Sequence, residues 1–217
     1  MTNLTPGREH KLSRKSKEES LLTRQHIVLA ALKEFEKRGV AYTTLDHIAE
    51  SAGVSRGAIY WHFTNKTALF NEIWNQDNFK AENLKEKYQV IYPGQPLNVM
   101  KCILIDLLQA TQLNPLRKSL MEISFHKNEI CGGMLPIHET RKRLELDGFE
   151  IIEQALKDCI HHGELPLEIE TKFASILLQS CINGILETWL LMPERFDLVK
   201  SSPALANNLI SMLKSIR

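Results

Sequence analysis

The run Gly53–Phe63, "GVSRGAIYWHF", holds Arg56, Tyr60, Trp61 and His62 within one short helix length. Large rings and a histidine at the end of a short polar helix fit a plain core badly. They fit a surface that reads a polyanion. Arg56 can bridge guanine O6 and N7 bidentately. Gly57 lets a backbone come close, and Ala58 is small enough to meet a thymine methyl. Tyr60 and His62 can donate to phosphates, which sets register rather than sequence. Lys66, beside the start of the next helix, offers a further phosphate contact.

Such groups work only if the chain holds them at a fixed angle, and the flanking residues predict how. Thr43 followed three residues later by Asp46 resembles a capping box opening a helix over residues 44–51. Leu45, Ile48, Ala49 and Ala52 form its inner face, and Gly53 makes the turn, where positive φ costs little. Ser55 caps the next helix, which runs through Phe63 and buries Ile59 and Phe63. Val54 helps lock the pair. Helix, glycine turn, helix is the spacing of a helix-turn-helix, whose second helix places its N-terminal residues at base edges. That leaves Ser55, Arg56, Gly57, Ala58, Tyr60, Trp61 and His62 on the outer face. Ahead of this unit a helix over 20–38 carries Ile27, Ala31 and Phe35 at i, i+4, i+8 and stops at Gly39. Asn65 caps a fourth helix running towards Tyr88.

The chain of 217 residues can bury a substantial core. Period-2 strands are missing from the sequence, and Pro and Gly punctuate about nine amphipathic helices, an all-α architecture. Three parts are expected: a basic leader and arm over 1–19, a helix-turn-helix domain over 20–66, and an α-helical bundle over 67–217. Residues 1–70 carry 11 Lys/Arg against 7 Asp/Glu, and the remainder carries 16 against 19. A basic end on a mildly acidic body suits one that meets nucleic acid. Arg14, Lys15 and Lys17 in "SRKSK" are candidates for the DNA backbone or minor groove, or for a solvated tail. The polar start lacks a secretory apolar core, and no apolar run approaches about 18 residues, so a cytoplasmic protein away from membranes is expected.

Cys102, Cys131, Cys159 and Cys181 are scattered in apolar-periodic segments without a C-x-x-C pair, which suits buried reduced thiols. His126, His138, His161 and His162 have Glu129 and Glu139 nearby, but no H-E-x-x-H, nucleophile elbow or phosphate-cradling glycine loop occurs. Neither an enzyme, a metal site nor a cofactor is expected.

The stretch "TTLDHIAESAGVSRGAIYWHFTNKTALF" resembles the DNA-binding domain of the TetR family of bacterial repressors, in the form found in AcrR-type repressors of multidrug efflux pumps. The likeness continues through "LMEISFHKNEI", "IIEQALKDCIHHGELP" and "GILETWLLMPERFDL". It implies a homodimer on a palindromic double-stranded operator, released when a small hydrophobic inducer enters the C-terminal bundle. A regulator answering a fatty acid or signalling molecule is the alternative. The resemblance adds Thr44 to the DNA contacts. It implies a ligand pocket lined by Trp74, Ile103, Leu104, Leu107, Met121, Phe125, Ile152 and Leu186, with Asn78, Gln179 and Asn183 as polar groups. Ordinary core packing is the other reading of each. Asn78 stands where relatives often bury a carboxylate, so a reduced commitment to cations is expected unless Glu145 or Glu187 turns inward. The segment "IETKFASILLQSCINGILETWLL", apolar on more than one face and carrying Gly184, is expected to build a dimer interface with "ALANNLISMLKSI".

Overall fold

The computed structural model describes residues 6–76, 81–126 and 135–215. Among these it contains ten α-helices and no strand, one helix more than the sequence predicts. They are α1 (Pro6–Tyr42), α2 (Leu45–Ser51), α3 (Arg56–His62), α4 (Lys66–Asn75), α5 (Ala81–Ile91), α6 (Pro96–Leu113), α7 (Pro115–His126), α8 (Leu135–His161), α9 (Thr171–Leu191) and α10 (Leu198–Leu213).

The N-terminal unit packs around α1. Ile27, Ala31 and Phe35 are fully buried and meet Ile48, Ala49, Ile59 and Phe63. Phe35 and Phe70 make an edge-on ring contact, centroids 6.5 Å apart. Helix α1 begins well before the expected Ser20, with Pro6 as its first residue, where a missing N–H costs nothing. Gly39 does break it, with φ 76° and ψ 160°.

Several boundaries differ from expectation for local reasons. The cap of α2 is Thr44, not Thr43: Thr44 Oγ1 accepts from the His47 backbone, and His47 Nδ1 accepts the Thr44 N–H. Thr43 instead turns inward, and its hydroxyl donates to the carbonyls of Glu34 and Gly39. Ser55 and Asn65 cap α3 and α4 as expected. The long fourth helix is two elements, since α4 closes at Asn75 with Gln76 as its C-cap and α5 begins at Ala81. Helix α10 starts five residues before Pro203. The proline removes one N–H, but the Val199 carbonyl it orphans accepts from Ser202 Oγ at 3.0 Å and from Gln109 Nε2 at 3.4 Å.

In the C-terminal unit α6 lies between α5 and α10, and α8 pairs with α9. Helix α5 is pinned by Lys85 to Asp158 at 3.3 Å and by the Tyr88 hydroxyl to Asp106 at 2.6 Å. The two units join where α1 packs on α7 and α4 packs on α8. Helix α9 holds an 18-residue window with a mean hydropathy of 1.3, which by length and composition alone a core helix shares with a membrane span. Its polar residues are mostly small or uncharged, and it packs against α7, α8 and α10. Cys159 is buried, which pushes its thiol up to about 12, and Cys102 and Cys181 are half-buried. A thiol so hard to ionise is a poor redox sensor.

Candidate DNA-reading helix and ligand cavity

Helix α3 is seven residues long, and Ile59 alone is fully buried among them. The two large rings on it face solvent, Trp61 at 74 % exposure and Tyr60 at 50 %. Ser55, Arg56 and Gly57 are exposed at its start, and Thr44 is exposed at the start of α2. Arg56 Nε rests on Asp46 Oδ1 at 2.7 Å, both groups more than half exposed. An exposed pair contributes at most about 1 kcal/mol, so the guanidinium is held in place yet easily given up to a base edge. At Gly57 φ is not positive, and the nearest atom to an added Cβ would be Ser55 Oγ at 4.0 Å. Nothing within the fold requires glycine there. A surface that must come close to another molecule does.

Ala58 and His62, expected on the outer face, are only half exposed, because the α-helical repeat turns them towards the neighbouring helices. Burial, and then the nearby Arg24 guanidinium, push the His62 imidazole down from its ordinary value. Lys66, expected at a phosphate, is engaged within the fold. Its ammonium donates to the carbonyls of Val40 at 2.7 Å and Ala41 at 3.0 Å, and burial lowers its pKa. The kink at Gly39 frees those carbonyls, and Lys66 satisfies them. Lys17 is exposed on α1. The side chains of Arg14 and Lys15, and all of Asn78, lie outside the described residues.

Arg24 ties the reading helix to α4. Its Nη1 donates to the His62 carbonyl at 3.1 Å, its Nη2 donates to Glu72 Oε2 at 2.8 Å, and the guanidinium lies 4.3 Å over the Phe63 ring. One side chain on α1 thus grips the end of α3 and the middle of α4.

Residues of α4 to α9 line a partly open cavity of about 730 Å³, within the range of sites for drug-sized ligands. Its wall brings together Trp74, Ile103, Leu104, Leu107, Met121, Phe125, Ile152, Gln179, Asn183 and Leu186. Met121 and Leu104 are also buried against the core, so the wall and the core share residues. Trp74 Nε1 is buried with no hydrogen-bond partner. A ligand acceptor there would recover a bond whose absence costs about 1–3 kcal/mol.

Sequence reasoning placed Gln179 and Asn183 in this wall but missed its buried arginine. Arg117 lines it while only 7 % exposed. It precedes Met121 and Phe125 at i, i+4, i+8, so the spacing that marked those two also marked it, and its charge hid it. From α8 Ile152 was anticipated as lining and Glu145 as a residue that could turn inward, whereas Arg141, Gly148, Ile151, Ala155 and Asp158 share the same stripe. Glu145 and Asp158 are thirteen residues apart on α8, about 20 Å at the helical rise, so the cavity is elongated. Glu187, the other carboxylate considered, is exposed. No cluster of three or more metal-ligating side chains occurs among the described residues.

With this geometry in hand, similarity to known proteins is informative. Residues 27–73 match the family model described as bacterial regulatory proteins, tetR family. Residues 95–215 match that of the MAATS-type transcriptional repressor, C-terminal region. The HTH-type transcriptional regulator AcrR of Shigella flexneri is 44% identical over 191 residues, 88% of this chain and 89% of that protein. Among solved structures, NalD, the secondary repressor of the MexAB-OprM multidrug efflux pump in Pseudomonas aeruginosa, aligns with a TM-score of 0.79 at 30% identity. That alignment covers 90% of this chain and 98% of NalD. A SmeT–triclosan complex aligns with a TM-score of 0.78 at 25% identity, over 88% of this chain and 91% of the other. An exposed reading helix at one end, a drug-sized cavity at the other and family models matching both ends agree: the chain belongs to the TetR family of bacterial transcriptional regulators.

Proposed function

We propose that this protein represses a multidrug efflux operon from the cytoplasm and leaves its palindromic operator when a bulky hydrophobic compound enters the cavity. It is a regulator, not an enzyme. The observation that carries the reading is the pairing of a solvent-facing Arg56–Gly57–Tyr60–Trp61 surface with a 730 Å³ cavity, α4 contributing Trp74 to the cavity and Glu72 to the Arg24 grip on α3. The names of NalD and the triclosan complex of SmeT favour a drug-like ligand over a fatty acid.

One head reads half a site, so two must be joined. Helix α9 leaves Phe173, Ile176, Gly184 and Leu191 exposed along one side, and Gly184 has nothing within 4 Å of an added Cβ. This stripe, with the exposed side of α10 through Ala204 and Asn208, supports a four-helix dimer interface. It also accounts for the high hydropathy of α9. Two copies of α3 fit one face of DNA only about 34–36 Å apart. Ligand packed on Trp74 displaces α4, and Arg24 passes the displacement to α3.

The test is a mobility-shift titration on the intergenic DNA upstream of the protein's own gene, with and without a panel of hydrophobic compounds. A specific complex that a subset of compounds dissolves supports the proposal. Absence of any sequence-specific complex overturns it. Light scattering should give a dimer, and Gly184→Leu should weaken both dimer and DNA complex.

A further inference from the structure

The polar cluster in the cavity has a defined internal order. Glu145 Oε2 accepts from Asn183 Nδ2 at 3.1 Å and from Gln179 Nε2 at 3.4 Å, and Gln179 Nε2 also lies 3.3 Å from Asn183 Oδ1. A carboxylate only accepts, so both amides must present their NH₂ groups to it. The second oxygen, Oε1, takes no hydrogen bond from a described residue. Arg141 and Arg143 line the same cavity, yet neither forms an ion pair with Glu145.

Gly148, one turn further along α8, completes the seat. A Cβ there would stand 3.3 Å from Gln179 Oε1 and 3.5 Å from its Cδ and Nε2. Glycine weakens a helix interior, and its φ here is not positive. What it provides is room for the Gln179 amide. Two amides and a glycine thus hold one carboxylate against the cavity, with one oxygen saturated and the other open.

We infer that Glu145 is the specificity-determining acceptor of the cavity and that it selects ligands bearing a protonated amine over quaternary cations and neutral compounds of the same size. The inference rests on the ligand-sensing role proposed above. An ammonium N–H meets the open Oε1 in a charge-assisted hydrogen bond, about twice as strong as a neutral one. A quaternary nitrogen has no N–H to donate and gains only the Coulomb attraction. An alcohol can donate but brings no charge. The expectation drawn from Asn78 was a reduced commitment to cations unless Glu145 or Glu187 turns inward, and on this inference Glu145 is that exception.

The experiment is fluorescence titration at neutral pH with three probes sharing one dansyl body: dansylcadaverine, its terminal N,N,N-trimethyl analogue and its terminal alcohol. The wild-type protein should bind dansylcadaverine roughly tenfold more tightly than the alcohol and several-fold more tightly than the trimethyl compound. Glu145→Gln should erase both preferences and leave the alcohol within about twofold of its wild-type affinity. Gly148→Ala, which displaces Gln179 without removing charge, should reduce the amine preference and spare the alcohol. Equal binding of the two cations by the wild type, or an equal loss of all three probes in Glu145→Gln, overturns the inference. If the alcohol binds and dissolves the DNA complex while the amine gains nothing, the inference fails and the repressor reading stands. If no probe binds and no hydrophobic compound dissolves the complex, both fail.

Discussion

The two ends of this molecule use their large side chains in opposite ways. In the N-terminal unit the apolar residues are spent on rigidity: Ile27, Phe35, Ile48, Ile59 and Leu69 have no exposed surface, and the rings that face outward sit on a capped seven-residue helix. In the C-terminal unit Ile103, Leu107, Phe125 and Ile152 remain partly uncovered around a cavity. The first surface is fixed because base edges are fixed. The second, on the function proposed above, is left for a ligand to complete. A close-packed head and an incompletely packed body, joined through α4, are what the proposed function needs if filling one end is to move the other.

The sharpest way to break that contrast is to make the same substitution at both ends. Leu69→Ala in the head core should destabilise by about 2–5 kcal/mol, because a close-packed core relaxes only partly around the hole. Leu107→Ala in the cavity wall should cost about 1 kcal/mol, since the deleted atoms already face open space. Urea unfolding of the two variants checks this, and equal losses would show that the cavity wall is ordinary core.

Next come two basic residues that look alike in sequence. Arg56→Ala should cost about 1–3 kcal/mol on the specific site and relax discrimination against random DNA. It should change stability by less than about 0.5 kcal/mol, because its partner Asp46 is exposed. Lys66→Met should do the reverse. It strands the Val40 and Ala41 carbonyls at a cost of about 1–3 kcal/mol in stability, and leaves the salt slope of DNA binding unchanged. Salt-dependent binding and unfolding measured on both variants separate the roles. A flattened slope for Lys66→Met would restore it to the phosphate backbone.

The smallest expected change is the most selective. Gly57→Ala should leave stability equal or raised by up to about 1 kcal/mol, since no atom obstructs the methyl and alanine favours helix. Operator affinity should fall, because the methyl stands where α3 approaches DNA. Operator affinity at or above wild type would remove the close-approach argument.

How much of this was legible in the sequence follows from how far apart the partners lie. The head was legible because its signals are local: Ser55 and Asn65 cap their helices, and Ile59 and Phe63 are one turn apart. At the cap of α2 the error was one residue, since Thr43 and Thr44 differ only in which one the tertiary structure draws inward. The all-α class followed from periodicity, but the start of α10 did not, because Gln109 on α6 helps satisfy the carbonyl orphaned by Pro203. The internal bonds of Lys66 were not legible, because its acceptors are 25 and 26 residues away and exist only once Gly39 kinks the chain. Glu145 could be named as a candidate but not oriented. What turns it inward are amides 34 and 38 residues further on, together with the space left by Gly148.

The central claim is that the cavity and the reading helix are coupled through α4. Ligand must therefore bind the DNA-incompetent state more tightly, and by linkage operator DNA must weaken ligand binding by the factor by which ligand weakens DNA binding. The direct measurement is calorimetric titration of a compound that dissolves the complex, into free protein and into protein saturated with operator duplex. Affinity for the compound should drop in the presence of operator, by the same factor that the compound imposes on operator affinity, and Arg24→Met should shrink both factors together. Equal affinity for the compound with and without operator would contradict the account.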